Sequence, residues 1–196
     1  MLPEKSCRSR SIRGGQTVVN DTRQVPAMNT RIFTLLLSLF LPGLALAQWS
    51  IVTHQAANSL VPTKIAQTTN GEGYSLEIYR DTGDAIRSRI TLTPGLISLA
   101  GKSCPTYQID TGKPRNRSLD DAPCIAQARW AEFILGQVAD GKIESSVLLS
   151  MMNGINITFR FALSNGDYRE TQFSLAGSKW TMQSIFGQNV TVTASK

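Results

Sequence analysis

Imidazole is almost missing from this chain: its 196 residues include one histidine, His54. A zinc site draws three or four ligands from His, Cys, Asp and Glu, and no such cluster surrounds His54. A Ser-His-Asp triad would have to run through the same residue, yet no serine sits in a nucleophile-elbow motif. The sequence therefore predicts His54 as a surface residue on an N-terminal strand. A phosphate-cradling glycine loop is also missing, because Asn70-Gly71-Glu72-Gly73 is too short and polar to be more than a turn. Paired carboxylates are few. Asp81/Asp84 and Asp120/Asp121 lie among turn formers, whereas acid–base catalysis needs carboxyls in contrasting environments. The latter pair also lacks EF-hand spacing. No catalytic residue, metal ligand or cofactor is assigned on these grounds.

Long apolar runs are equally scarce, and the one present is informative. Arg31 precedes an almost unbroken apolar stretch over 32–41, Pro42-Gly43 breaks it, and Ala45-Leu46-Ala47 gives a small-x-small cleavage pattern before Gln48. This reads as a secretory signal peptide over 28–47, with residues 1–27 either an overcalled start or an extended leader. The run is short for a membrane span, which needs about 20 apolar residues. No later segment is apolar enough to span a bilayer, and the predicted mature chain is 48–196. The expected location is periplasmic or secreted, in a bacterium.

Removing the leader changes the charge. The whole chain has 20 Lys and Arg against 14 Asp and Glu, a net of +6; residues 1–47 hold six of the bases and two of the acids. The remaining 14 bases and 12 acids leave +2, so the basic pI gives little support to a nucleic-acid partner. Cysteine also drops, from three to Cys104 and Cys124. In an oxidising compartment the pair reads as one disulfide rather than two free thiols. Closing that loop would stabilise the fold by about 3 kcal/mol.

What the mature part does have is alternation. Tyr74, Leu76 and Ile78 alternate with polar neighbours, and Ile86, Ser88, Ile90 and Leu92 alternate with Arg87, Arg89, Thr91 and Thr93, with a turn at Thr82-Gly83-Asp84. Residues 126–135 read as a strand around Trp130 and Phe133. Over 155–175 a hairpin is expected, with Ile155, Ile157, Phe159, Phe161 and Leu163 on one face. A two-residue Asn165-Gly166 turn would put Phe173 on the polar face. A three-residue loop, Ser164-Asn165-Gly166 with Gly166 left-handed, instead pairs Ile157 with Phe173 and Ile155 with Leu175. That second register is the expectation. Asp140 is expected to cap a helix over about 142–152 and Ser178 a second over 179–186, with Gly187 as its stop. A short strand over 190–194 follows. The predicted fold is one mostly β domain, an antiparallel β-sandwich or open barrel with two short helices.

The order Gln48-Trp49-Ser50-Ile51-Val52, a cysteine pair ending in Cys124-Ile125-Ala126, a short helix, a strand, then Phe173-Ser174-Leu175-Ala176-Gly177 before a last helix resembles the invasion-associated locus B family. These are small secreted or periplasmic β-rich bacterial proteins. The chain departs from the pattern at Thr53, where the family tends to have a cysteine, and at Ser178-Lys179, where an aromatic is usual. The interval between Cys104 and Cys124 is longer than expected, with 106–122 reading as an inserted loop. The resemblance implies an exported protein of the envelope or host surface, with no catalytic residues to carry over.

One charge concentration remains: Lys113, Arg115 and Arg117 inside the cysteine loop, with Lys102 beside it. Pro105 and Pro114 stiffen the segment and Tyr107 adds an aromatic. A rigid, tethered basic loop of this kind is suited to an acidic envelope or host-surface protein, an anionic glycan or a lipid head group. Opposing this, Asp110, Asp120 and Asp121 could neutralise it. The function expected is binding or interaction; the alternative is a periplasmic hydrolase with an unrecognised carboxylate or hydroxyl site.

Overall fold

The computed structural model describes residues 48–55, 62–96, 98–101, 103–115, 124–187 and 189–195. The predicted leader, with Ala45 and Ala47, lies outside them, as does Arg117. The described chain is mostly β. Its elements are β1 (Ser50–His54), β2 (Thr63–Thr69), β3 (Ser75–Arg80), β4 (Ala85–Thr91), β5 (Thr106–Ile109), β6 (Cys124–Ala126), β7 (Trp130–Ala139), β8 (Lys142–Glu144), α1 (Ser146–Asn153), β9 (Asn156–Ala162), β10 (Tyr168–Ser174), α2 (Ser178–Phe186) and β11 (Thr191–Thr193). One sheet runs β1-β2-β3-β4-β7-β8-β11, with β6 also on β7, and curls into a half-barrel. A second sheet has the order β10-β9-β5. All pairings are antiparallel except β11 with β8. The open-barrel form of the prediction describes the larger sheet.

Strand periodicity sets which side chains meet. Leu76 and Ile78 of β3, Ile86, Ser88 and Ile90 of β4, and Ala131, Phe133 and Leu135 of β7 are buried. From the smaller sheet, Ile157, Phe159, Phe161 and Phe173 join them. The two sheets are locked by edge-on and tilted rings. Tyr107 lies 5.2 Å from Phe133, Phe133 lies 6.1 Å from Phe159, and Tyr74 lies 5.9 Å from Phe161. Each such buried side chain contributes about 1.5–3 kcal/mol. Trp49 is also core, at 5% exposure, and its indole N–H donates to the Ser174 carbonyl at 2.9 Å.

The hairpin of β9 and β10 takes the expected three-residue loop. Ile157 pairs with Phe173, Gly166 has φ +89°, and the Leu175 N–H donates to the Ile155 carbonyl. Ile155 itself corrects the prediction: it precedes the strand and is exposed rather than inward. The strand expected over 126–135 is two strands, β6 and β7, split by a turn in which the Gln127 N–H donates to the Trp130 carbonyl.

The first helix starts later than expected. Asp140 is not its cap; Asp140 and Gly141 have φ +49° and +72° and form the turn between β7 and β8. Positive φ at both central residues is what a tight hairpin of twisted strands requires. Residues 142–144 are strand, and Ser145 caps α1, its Oγ accepting the Leu148 N–H and donating to the Leu135 carbonyl. For α2 the cap is Gly177, with φ +86°. Ser178 is buried, and its Oγ donates to the Met151 carbonyl, tying the two helices together. Gly187 ends α2 as expected, and the final strand is shorter than predicted.

Candidate functional site

The segment read as an inserted loop begins as β5, which pairs with β9 and carries Tyr107 into the core. Just before it, Cys104 is bonded to Cys124 at the start of β6, with a Cα–Cα distance of 6.2 Å. The disulfide thus joins the smaller sheet to the larger one. Tyr107 is 6% exposed, so its ring faces Phe133 and Phe159 and is not available as a contact residue. Burial of a tyrosine that looked like a loop aromatic corrects its assignment to binding.

Beyond β5 the chain turns back on itself as a short finger. The Arg115 N–H donates to the Tyr107 carbonyl at 2.7 Å and the Tyr107 N–H to the Arg115 carbonyl at 3.2 Å. The turn is closed by Gly112 N–H to the Ile109 carbonyl and by the Gln108 side chain to the Gly112 carbonyl. Lys113 and Arg115 project from this finger, exposed. Among the described residues, neither has a carboxylate within ion-pair distance.

Asp110 explains why. It sits at the finger's bend with φ +47°, and its carboxylate accepts the Asn156 N–H at 2.8 Å and the Ile155 N–H at 3.0 Å. Its own N–H donates to the Asn156 carbonyl. Asp110, one of the three acids expected to neutralise the basic loop, is instead its anchor. Gly154 makes room for it: a Cβ there would lie 2.9 Å from the Asp110 carboxylate and 2.8 Å from the Ser150 carbonyl. Nearby, Arg160 reaches the Gln108 side chain and pairs with Glu170, leaving that neighbourhood balanced.

A second polar constellation, which sequence reading missed, lies on the outward face of β3, β4 and β7. Register places Arg89 opposite both Glu77 and Glu132. Glu132 has a side chain only 7% exposed; its carboxylate takes a short hydrogen bond from the Tyr79 hydroxyl and ion pairs from Arg87 at 2.9 Å and Arg89 at 2.7 Å. The Arg89 guanidinium lies 4.8 Å from the Trp130 ring and 5.5 Å from that of Tyr79. Burial pushes the Glu132 carboxyl up, but the Tyr79 hydrogen bond and the two guanidinium groups outweigh it and hold the pKa below its ordinary value. Burial and the bond to Glu132 push the Tyr79 phenol up. Arg87 extends the chain to Asp81, whose other oxygen accepts the Gly83 and Ala85 N–H groups. Every member is engaged with another, so the chemistry on view is fastening of three strands.

His54 lies exposed at the end of β1, where it was expected. Among the described residues, no group of three or more His, Cys, Asp or Glu side chains is placed to hold a metal, and no helix is long and apolar enough to cross a membrane. Lys102, Asp120 and Asp121 lie outside the described residues. Gln48 is exposed at the start of the described chain.

No family model, curated protein or solved structure matches the chain. The candidate site accordingly rests on its own geometry: a short finger, stapled at its base and latched at its bend, carrying two cations that no described carboxylate pairs with.

Proposed function

We propose that this chain is an exported bacterial envelope protein that docks an anionic glycan or an acidic envelope or host-surface protein through the finger bearing Lys113 and Arg115. The observation that carries this reading is the Asp110 latch. By giving its carboxylate to the Ile155 and Asn156 amides, Asp110 orders the bend without neutralising the cations. A preorganised cationic loop loses less conformational entropy on binding than a floppy one. The leader pattern, the cross-sheet disulfide and the resemblance to the invasion-associated locus B family support the compartment. The hydrolase alternative has less support, because three of the described carboxylates, those of Asp81, Asp110 and Glu132, are taken up by backbone amides or guanidinium groups.

The test is the double variant Lys113→Ala/Arg115→Ala, compared with the parent on an immobilised sulfated polysaccharide and on detergent-solubilised envelope proteins. Loss of about tenfold in affinity, with an unchanged melting temperature, is the expected result. Retention of full binding by the double variant refutes the finger as the docking element.

A further inference from the structure

Two of the most exposed large apolar side chains in the fold, Ile155 at 72% and Trp180 at 69%, are wired to this same finger. The Ile155 N–H is held by Asp110, three residues before Lys113. Two residues before Ile155, the Asn153 side chain accepts the Lys179 ammonium at 3.4 Å, and Trp180 follows Lys179 on α2. The Ser178 hydroxyl to Met151 carbonyl bond fixes the first turn of α2 against α1. Finger, α1–β9 junction and first turn of α2 are therefore one connected corner of the molecule.

That corner has a particular chemistry. Trp180 and Ile155 are apolar and solvent-facing, while Lys113, Arg115 and Lys179 are cations on the same chain of contacts. The carboxylate built into the corner, Asp110, faces amides, and Glu170 beyond Gln108 is paired with Arg160. We infer that this corner seats the protein on an anionic lipid surface, with Trp180 and Ile155 entering the headgroup layer and the three cations meeting lipid phosphates. Tryptophan favours the membrane–water interface, and each basic residue near an anionic surface adds about 1 kcal/mol. Apolar anchors or cations alone hold weakly, and the two signals together are what gives stable surface binding. The inference rests on the finger reading, since two of its three cations are the finger's.

The purified protein is sedimented with vesicles of phosphatidylcholine alone, or of phosphatidylcholine mixed with an equal part of phosphatidylglycerol. The soluble sulfated polysaccharide is tested alongside. The parent is expected to partition onto the mixed vesicles and not onto phosphatidylcholine. Ile155→Ser/Trp180→Ser is expected to lower vesicle partitioning about tenfold while leaving polysaccharide binding unchanged. Lys113→Ala/Arg115→Ala is expected to weaken both, by about fivefold per cation on vesicles. Brominated phosphatidylglycerol should quench a fraction of the tryptophan emission that disappears in Trp180→Phe. Binding to the polysaccharide without binding to vesicles overturns the lipid inference and leaves the finger reading standing. Binding to neither sinks the lipid inference, and also the finger reading if the envelope proteins are not bound either; vesicle binding that survives loss of Ile155 and Trp180 also refutes the lipid inference.

Discussion

Replacing Glu132 by glutamine removes a charge and keeps the shape, which makes it the sharpest probe of how the half-barrel is fastened. Two guanidinium groups and the Tyr79 hydroxyl converge on this carboxylate. Removing one partner of a fully buried pair costs about 3–5 kcal/mol. Here the Arg87 and Arg89 side chains keep 23% and 34% exposure, and Arg87 retains Asp81, so solvent screening brings the cost to about 2 kcal/mol. For a domain of this size that is a fall of about 4–8 °C in Tm, measured by circular dichroism at neutral pH. The pH dependence adds a second readout. A carboxyl whose folded pKa is depressed adds stability above its unfolded value, about 4.3, and that stability is lost as pH falls through the folded value. Urea midpoints of the parent should therefore drop more steeply than those of the variant on acidification below about pH 4, and the two curves should converge. A neutral-pH loss under about 0.5 kcal/mol, or parallel acid limbs, would refute the view that Glu132 binds its neighbours as a charged hub.

Three further outcomes follow from the same geometry. Asp110→Ala removes the anchor of the finger; the loss of charge-assisted bonds to two amides should cost about 1–2 kcal/mol, and limited trypsin digestion should cut faster after Arg115 than in the parent. Reducing the Cys104–Cys124 bond should lower stability by about 3 kcal/mol in urea titrations, with far-UV circular dichroism retained under native conditions. Ser145→Ala removes the cap of α1 and should cost about 1 kcal/mol by the same titration, since both the Leu148 N–H and the Leu135 carbonyl lose their partner.

Local chemistry made the β9–β10 hairpin legible: Asn165-Gly166 marks the turn, and only one of its two registers buries Phe173. Glycine also marked the end of α2. Where signals were ambiguous, the tertiary context decided. Asp140-Gly141 serves equally as a helix entry and as a hairpin turn, and the buried Ile143 one residue into β8 settles it as a turn. β5 went unseen because it is four residues long between Pro105 and Pro114, and its pairing partner lies some 50 residues away in the chain. The Glu132 hub was hidden for the same reason. Arg87 and Arg89 were visible as a polar face, but only the β4–β7 register puts Glu132 beneath them. Tyr107 looked like a loop aromatic because burial by Phe133 and Phe159 is a property of the packed sheets, not of its neighbours in sequence.

The cross-sheet disulfide has a mechanical consequence. Cys104 leads into the smaller sheet and Cys124 opens β6 of the larger one, 20 residues on. When the protein is pulled by its ends, tension passes directly from one sulfur to the other and bypasses the intervening chain. About 70 Å of contour, at 3.3–3.6 Å per residue, is withheld from extension until the bond is reduced. Lys113 and Arg115 sit inside that shielded length. Force applied at the two ends of the chain therefore leaves the cationic finger unextended for as long as the Cys104–Cys124 bond is intact.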